Sequence, residues 1–278
     1  MKFHLGQKTC GYKDKEYAYL RNKTHGIEMI QKLLDEHITP NHPEYEHCCH
    51  LLNEYAQRGT IESLLTLYTL ETPFYHQLHY TINPLAFPLF MHLPDLQARY
   101  FQGTSYRGVK MTREEIREYH WALNNRNKVI STGKFASTSI DRHVAEKFAS
   151  NKSSSTNKIS VLLAFHFPKP CDTAIILGKV PEQQLPCISN YEDEQEILVG
   201  PRTFFKVTGM ETMKVNGGQV IYLENIFGHR QSILSTIGFF CKIELKSQLQ
   251  LRTKTSELKN NDFQVVNRLV IDIHADRR

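Results

Sequence analysis

Two glutamates one residue apart, Glu194 and Glu196, lie in the run Ser189-Asn190-Tyr191-Glu192-Asp193-Glu194-Gln195-Glu196-Ile197-Leu198-Val199. An acidic run usually makes a solvated turn, and Glu192 and Asp193 fit that reading. Glu194 and Glu196 fit it less well, because the run passes straight into apolar, strand-like residues. The two-residue period of a strand over Gln195–Val199 predicts both carboxylates on one face. Like charges side by side at the entry to a buried strand repel, so the pair points to acid/base or electrostatic chemistry. Two further groups carry polar atoms on predicted strands. Ser105-Tyr106-Arg107-Gly108 holds an arginine that alone would read as solvated or ion-paired, and Phe135-Ala136-Ser137-Thr138-Ser139 alone would read as an edge strand.

In this order and spacing the three groups resemble the R-S-E class of mono-ADP-ribosyltransferases. That class includes vertebrate arginine-specific ecto-enzymes and the binary actin-modifying and cholera-like toxins. The motifs read YRG at Tyr106–Gly108, STS at Ser137–Ser139 and EQE at Glu194–Glu196. The resemblance covers roughly Leu67 to Leu223. It also takes in Ala145 and Phe148, which match the family's small-residue and aromatic positions. The Ser-rich Asn151–Lys158 falls near the family's phosphate–nicotinamide loop. Ser189 and Tyr191 fall on the turn with which the family recognises its protein substrate, and Tyr191 looks like the aromatic that packs against a target arginine.

The resemblance implies cleavage of the bond between nicotinamide and ribose in NAD, followed by attachment of ADP-ribose to an acceptor. The transition state is oxocarbenium-like, as in glycoside hydrolysis. Arg107 is implied as the phosphate and ribose anchor, since a planar guanidinium makes bidentate, charge-assisted bonds. Gly108 would let backbone approach the nicotinamide amide. Glu196 is the implied catalytic carboxylate, hydrogen-bonded to the ribose 2′-OH, with Ser137 holding it and the ribose in place. Thr138 and Ser139, on the same strand, and Phe148 complete the implied NAD-contacting set, although Thr138 is expected to point toward the core and Ser139 to support its strand locally. Glu194 and Tyr191 are implied in acceptor recognition: a Glu at the first position goes with arginine as acceptor, a Gln with asparagine. An NAD glycohydrolase, or a non-catalytic NAD-binding module on the same scaffold, is the alternative.

Elements must hold these groups. Ile27, Ile30, Leu34 and Ile38 recur at helical spacing and stop at Thr39-Pro40. Pro43 suits a first helical position, with Tyr45, Cys48, Cys49, Leu52, Tyr55 and Ala56 forming a stripe that Gly59 ends. A third helix is expected over Ile61–Tyr68, and a fourth after Thr72-Pro73 with Phe74, Tyr75, Leu78 and Ile82 inward. From about Tyr100 strand-like runs take over: Thr104–Val109, Val129–Ser131, Phe135–Ser139, Ile159–Phe167, Thr173–Leu177, Gln195–Val199, Thr203–Val207 and Gln219–Leu223. A capping box, Thr112 to Glu115, opens a helix with Ile116, Tyr119 and Leu123 on one face. Asp141 caps another with Val144, Ala145 and Phe148 inward. Ile237–Leu245 and Phe263–Ile273 could be strands. The expected fold is α+β, a helical N-terminal layer packed on a mixed β-sandwich core. Residues 1–99 form the helical part, 100–227 the β-rich catalytic core and 228–278 an extension of unassigned structure.

The 278 residues are 40% hydrophobic and 23% charged, which excludes a disordered chain. Lys+Arg 34 against Asp+Glu 29 gives a net charge of +5, too mild for a nucleic-acid surface. No run reaches the roughly 18 apolar residues of a membrane span, and the first twenty residues lack a signal-peptide core. None of the six cysteines sits in a CxxC pair, and His42, His47 and His50 lack a ligand pattern, so no metal is expected. A Cys171–Cys187 disulfide stays open. The reading is a reducing, cytoplasmic monomer, secretion remaining open, that uses NAD as co-substrate and an arginine-containing protein as acceptor.

Overall fold

The computed structural model describes residues 23–70, 72, 88–89, 92–125, 128–150, 158–213, 217–226 and 270–272. These fall into two compact units, one ending at Leu89 and one beginning at His92. In the first, α1 (Lys23–His37) buries Ile30 and Leu34, with Ile38 just beyond it. Its ladder ends as the Ile38 N–H reaches the Leu34 carbonyl at 2.8 Å, just before Pro40, which has no N–H to continue it. Helix α2 (Tyr45–Arg58) buries Cys48, Leu51, Leu52 and Tyr55 and closes on Gly59, whose φ of 75° lets its N–H reach the Tyr55 carbonyl. Pro43 is not the first helical residue. It sits in the preceding turn, closed by the Tyr45 N–H on the His42 carbonyl at 3.0 Å. Helix α3 (Ile61–Thr69) is buried on nearly every side, which marks it as a core helix.

In the second unit a 3-10 turn, Leu93–Arg99, feeds β1 (Tyr100–Met111). There follow α4 (Arg113–Asn124), β2 (Lys128–Ser131), β3 (Ala136–Ser139), α5 (Arg142–Ser150), β4 (Ile159–Ile176), β5 (Glu196–Val199), β6 (Phe204–Thr212), β7 (Gln219–Asn225) and β8 (Val270–Asp272). The sheet order is β1-β3-β5-β4-β7-β6-β2-β8, with β1 also paired to β4. All pairs are antiparallel except β4 with β7. Helices plus this mixed, mainly antiparallel sheet make the α+β class expected from the sequence.

Helix α4 begins with the predicted capping box: Glu115 N–H donates to Thr112 Oγ1 at 3.3 Å and Thr112 N–H to Glu115 Oε2 at 2.8 Å. Asp141 caps α5 through the His143 N–H at 2.8 Å. The two strands read at Ile159–Phe167 and Thr173–Leu177 are one strand of 18 residues. Its first half lies between β1 and β7, and Ala174–Ile176 pair with β5. Pro168 and Pro170 lie within β4. They sit exposed where the register with β1 slips between Phe101 and Gly103, a bulge that tolerates residues without an N–H. The core beneath is aromatic: Phe167 lies edge-on to Phe101 and Phe205, with centroids 5.5 and 5.6 Å apart. The expected helix over Phe74–Ile82, the loop Asn151–Lys158 apart from its last residue, and Ile237–Leu245 lie outside the described residues. Of Phe263–Ile273, Val270–Asp272 are described and pair with β2 as β8.

Candidate active site

Strands β1, β3 and β5 are neighbours, so Arg107, Ser137 and Glu196 arrive from three adjacent strands. The β3–β5 register pairs Ser139 with Glu196 and Thr138 with Ile197. Ser137, Ser139 and Glu196 therefore share one face, and Thr138 lies on the other. Glu196 is 4% exposed. Ser189 Oγ donates to its Oε2 at 2.7 Å, and the Ser137 side chain hydrogen-bonds the same carboxylate. Arg107 Nη1 donates to the Ser137 carbonyl at 2.7 Å, which places the guanidinium where its charge acts on Glu196. Burial holds the Glu196 carboxyl above the usual carboxylate range, and the Ser189 and Ser137 hydroxyls and the Arg107 charge oppose that only in part. A carboxylate fixed by two hydroxyls in a poorly hydrated place is preorganised to stabilise positive charge developing beside it.

Glu194 does not stand on the strand with Glu196. Glu192–Glu194 form a 3-10 turn and Gln195 is left-handed, at φ 45° and ψ 52°. The two-residue alternation therefore fails at Gln195, and only Glu196 enters the sheet. The turn is held from below. Ser139 Oγ donates to the Glu194 carbonyl at 2.5 Å, and the Ile140 N–H to the Gln195 carbonyl at 3.3 Å. These bonds retain a residue type that costs about 1–2 kcal/mol in the left-handed region. Ser139 thus acts on backbone as a support for the turn. The partly buried Tyr191 opens the turn, its N–H on Ser189 Oγ at 3.2 Å. Lys179 pairs with Glu192 at 2.6 Å, but both side chains are mostly exposed, so the pair contributes little.

Thr138 faces the core, and its cofactor-contact assignment is corrected accordingly. Its Oγ1 lies 2.9 Å from both the Ile197 carbonyl and Ser105 Oγ. The carbonyl can only accept, so Thr138 donates to it and receives the Ser105 proton. Thr138→Val keeps the shape and removes both bonds in a buried place. We expect a stability loss of about 1–3 kcal/mol with the KM for NAD unchanged, read by denaturant titration and steady-state kinetics.

Gly108 has a reason in packing. A Cβ there would meet the Ala145 carbonyl oxygen at 1.8 Å and the Ala149 nitrogen at 2.5 Å, so α5 crosses β1 against bare backbone. The inward face of α5 is accordingly Ala145 and Ala149. Phe148, expected inward, is 48% exposed, because the close crossing at Gly108 leaves room only for alanines. That exposure leaves its ring available to a ligand.

Two groups at the site had no usable signal in the sequence. The bond of Ser189 to Glu196 spans a turn whose path the spacing does not define. Arg99 is 3% exposed. It donates to the carbonyls of Ile176 at 3.2 Å, Gly178 at 3.3 Å and Pro186 at 2.7 Å, clamping the segment that leads into Ser189. Backbone acceptors leave no trace in residue types. The bridge left open between Cys171 and Cys187 is not formed; both are free thiols. Cys171 reaches Thr173 Oγ1 at 3.3 Å, and Cys187 Sγ donates to the Ser189 carbonyl at 3.3 Å. Among the described residues no group of His, Cys, Asp and Glu is arranged to hold a metal ion.

Three adjacent strands thus bring together an arginine, a serine and a buried glutamate. The chain belongs to the ADP-ribosyltransferase exoenzyme family, which it matches over residues 14–228. It therefore uses NAD as the ADP-ribose donor in mono-ADP-ribosyl transfer. Loosely similar solved structures include the type III effector XopAI from Xanthomonas axonopodis pv. citri, 16% identical over 78% of this chain and 98% of that one, TM-score 0.46. HopU1, an ADP-ribosyltransferase of Pseudomonas syringae pv. Tomato, is 16% identical over 71% of this chain and 87% of its own, TM-score 0.45. Exoenzyme S from Pseudomonas aeruginosa, solved with human 14-3-3 protein beta and carba-NAD, is 18% identical over 75% and 97%, TM-score 0.42. No curated protein matches the sequence.

Proposed function

We propose that this protein transfers ADP-ribose from NAD to arginine side chains of an acceptor protein, releasing nicotinamide, as a cytoplasmic monomer that needs no metal. The observation that carries the reading is the buried Glu196, held by Ser189 and Ser137 beside the Arg107 guanidinium. In NAD, cleavage of the nicotinamide–ribose bond leaves positive charge on the ribose while a neutral base departs. A fixed carboxylate facing that charge lowers the barrier most when water is excluded. Arg107 would bind the diphosphate through its donors not spent on Ser137, and the exposed ring of Phe148 would cover part of the ligand.

Arginine as acceptor is supported by Glu194. Its turn is anchored through Ser139 and opens on Tyr191, so Glu194 lies outside the strand that buries Glu196. A carboxylate there can align a guanidinium and accept its proton as the new N–C bond forms, which water needs less. With labelled NAD and agmatine, Glu194→Gln is expected to lose transfer by about 10²-fold or more and to keep measurable NAD hydrolysis. Transfer to agmatine at the parent rate in that variant would refute the assignment. Free ADP-ribose as the sole product of the parent would make the protein an NAD glycohydrolase.

A further inference from the structure

The 2.7 Å contact between Ser189 and Glu196 bears on more than burial. Ser189 is 6% exposed, and its hydroxyl has two partners with opposite roles. It donates to Glu196 Oε2 and accepts the Tyr191 N–H at 3.2 Å. Its backbone is locked as well, since the Ile188 and Ser189 N–H groups both reach the Leu177 carbonyl, at 2.7 and 3.2 Å. The residues around Leu177 are in turn those clamped by Arg99 through Ile176, Gly178 and Pro186. Ser189 therefore joins the end of β4 through its backbone, and the first residue of the acceptor turn and the carboxylate through its hydroxyl.

We propose that Ser189 is a positioning residue for Glu196, whose hydroxyl fixes the Oε2 oxygen and ties the carboxylate to the turn that carries Tyr191 and Glu194. This rests on the reading of Glu196 as the group that attends NAD cleavage. A turn that swings away takes the hydroxyl with it, so the carboxylate is fully held only when the turn is seated. Around Glu196, β1 contributes the Arg107 guanidinium, β3 the Ser137 hydroxyl and the turn Ser189. Opposite β5, β4 presents Ala174, Ile175 and Ile176, none of which titrates. Arg107 is thus the charged group acting on Glu196 among the described residues, and the Ser189 hydroxyl is the largest influence keeping the carboxyl ionised against burial.

The test is the pH profile of NAD cleavage by Ser189→Ala, Ser189→Thr and Glu196→Gln in the full chain, with thermal melts as a check on folding. In Ser189→Ala the acid limb of kcat is expected to move up by about one pH unit, with a loss of about tenfold below the limb that recovers at higher pH. KM for NAD should hold. Ser189→Thr, which keeps the hydroxyl, should keep the parent limb. An unmoved acid limb in Ser189→Ala, whether the rate is parental or uniformly reduced, overturns the proposal while leaving Glu196 in place if Glu196→Gln is dead. Parental cleavage by Glu196→Gln would overturn the reading of Glu196 and this coupling together.

Discussion

Glu196→Gln is expected to abolish NAD cleavage and ADP-ribose transfer together, by on the order of 10²–10³ or ~3–4 kcal/mol of barrier, while melting no lower than the parent at neutral pH. The amide keeps the shape and can still meet the Ser189 and Ser137 hydroxyls, but it offers no charge to the ribose. Its stability follows from the raised carboxyl of the parent. At low pH both folded and unfolded chains hold the proton, and the site contributes nothing against folding. As pH rises through the ordinary carboxylate range the unfolded chain releases its proton first, so folded stability falls until the folded carboxyl also ionises. Above that point the parent bears a penalty that the amide variant lacks. Melts near pH 4 and pH 7.5 should therefore show the variant's relative stability greater at the higher pH. The same raised carboxyl puts the acid limb of the parent's activity above the usual carboxylate range. Cleavage of NAD by the variant at the parent rate would remove Glu196 from the chemistry. A drop of several degrees at pH 7.5 would make its charge a net structural asset.

What residue types and periodicity could carry was the helical stripes, the capping box and the three strands bearing Arg107, Ser137 and Glu196. Each of these rests on local rules: a 3.6-residue apolar period in α1 and α2, reciprocal bonds over four residues at Thr112 and Glu115, short hydroxyl and acidic motifs at fixed order. Local rules give way where tertiary contacts override them. Prolines that usually end a strand are carried by the bulge in β4, because the facing strand slips its register there. Alternation through Gln195 failed because Ser139 and Ile140 capture the carbonyls of Glu194 and Gln195 and hold a left-handed residue. Helical spacing turns Phe148 inward, but the bare backbone at Gly108 brings the helix too close for a ring. Arg99 donates to three backbone carbonyls, and that role depends on the path of a segment some eighty residues downstream, which composition and spacing do not encode.

Gly108→Ala carries the other large expected effect, and it separates two reasons for a glycine beside the anchoring arginine. If the residue were glycine only so that a ligand could approach, an alanine would raise the KM for NAD and leave folding alone. The structure argues for more. The added Cβ would fall on main-chain atoms of α5, the Ala145 oxygen at 1.8 Å and the Ala149 nitrogen at 2.5 Å, and no rotamer change relieves a clash with backbone. Either α5 slides away from β1, uncovering Leu162 and Val220, which pack with Ala145 in a small cluster of their own, or β1 shifts and moves Arg107 off the Ser137 carbonyl. Overpacking that a side chain can absorb costs about 1–3 kcal/mol, so backbone on backbone should cost at least ~3 kcal/mol. That corresponds to a fall in Tm of roughly 6–12 °C for a unit of this size. Thermal melting with and without NAD reads the outcome. A destabilised variant whose NAD cleavage, measured below its melting transition, is also reduced would show that the glycine sets the position of α5 and Arg107 together. Parental Tm with a raised KM would return Gly108 to the ligand alone.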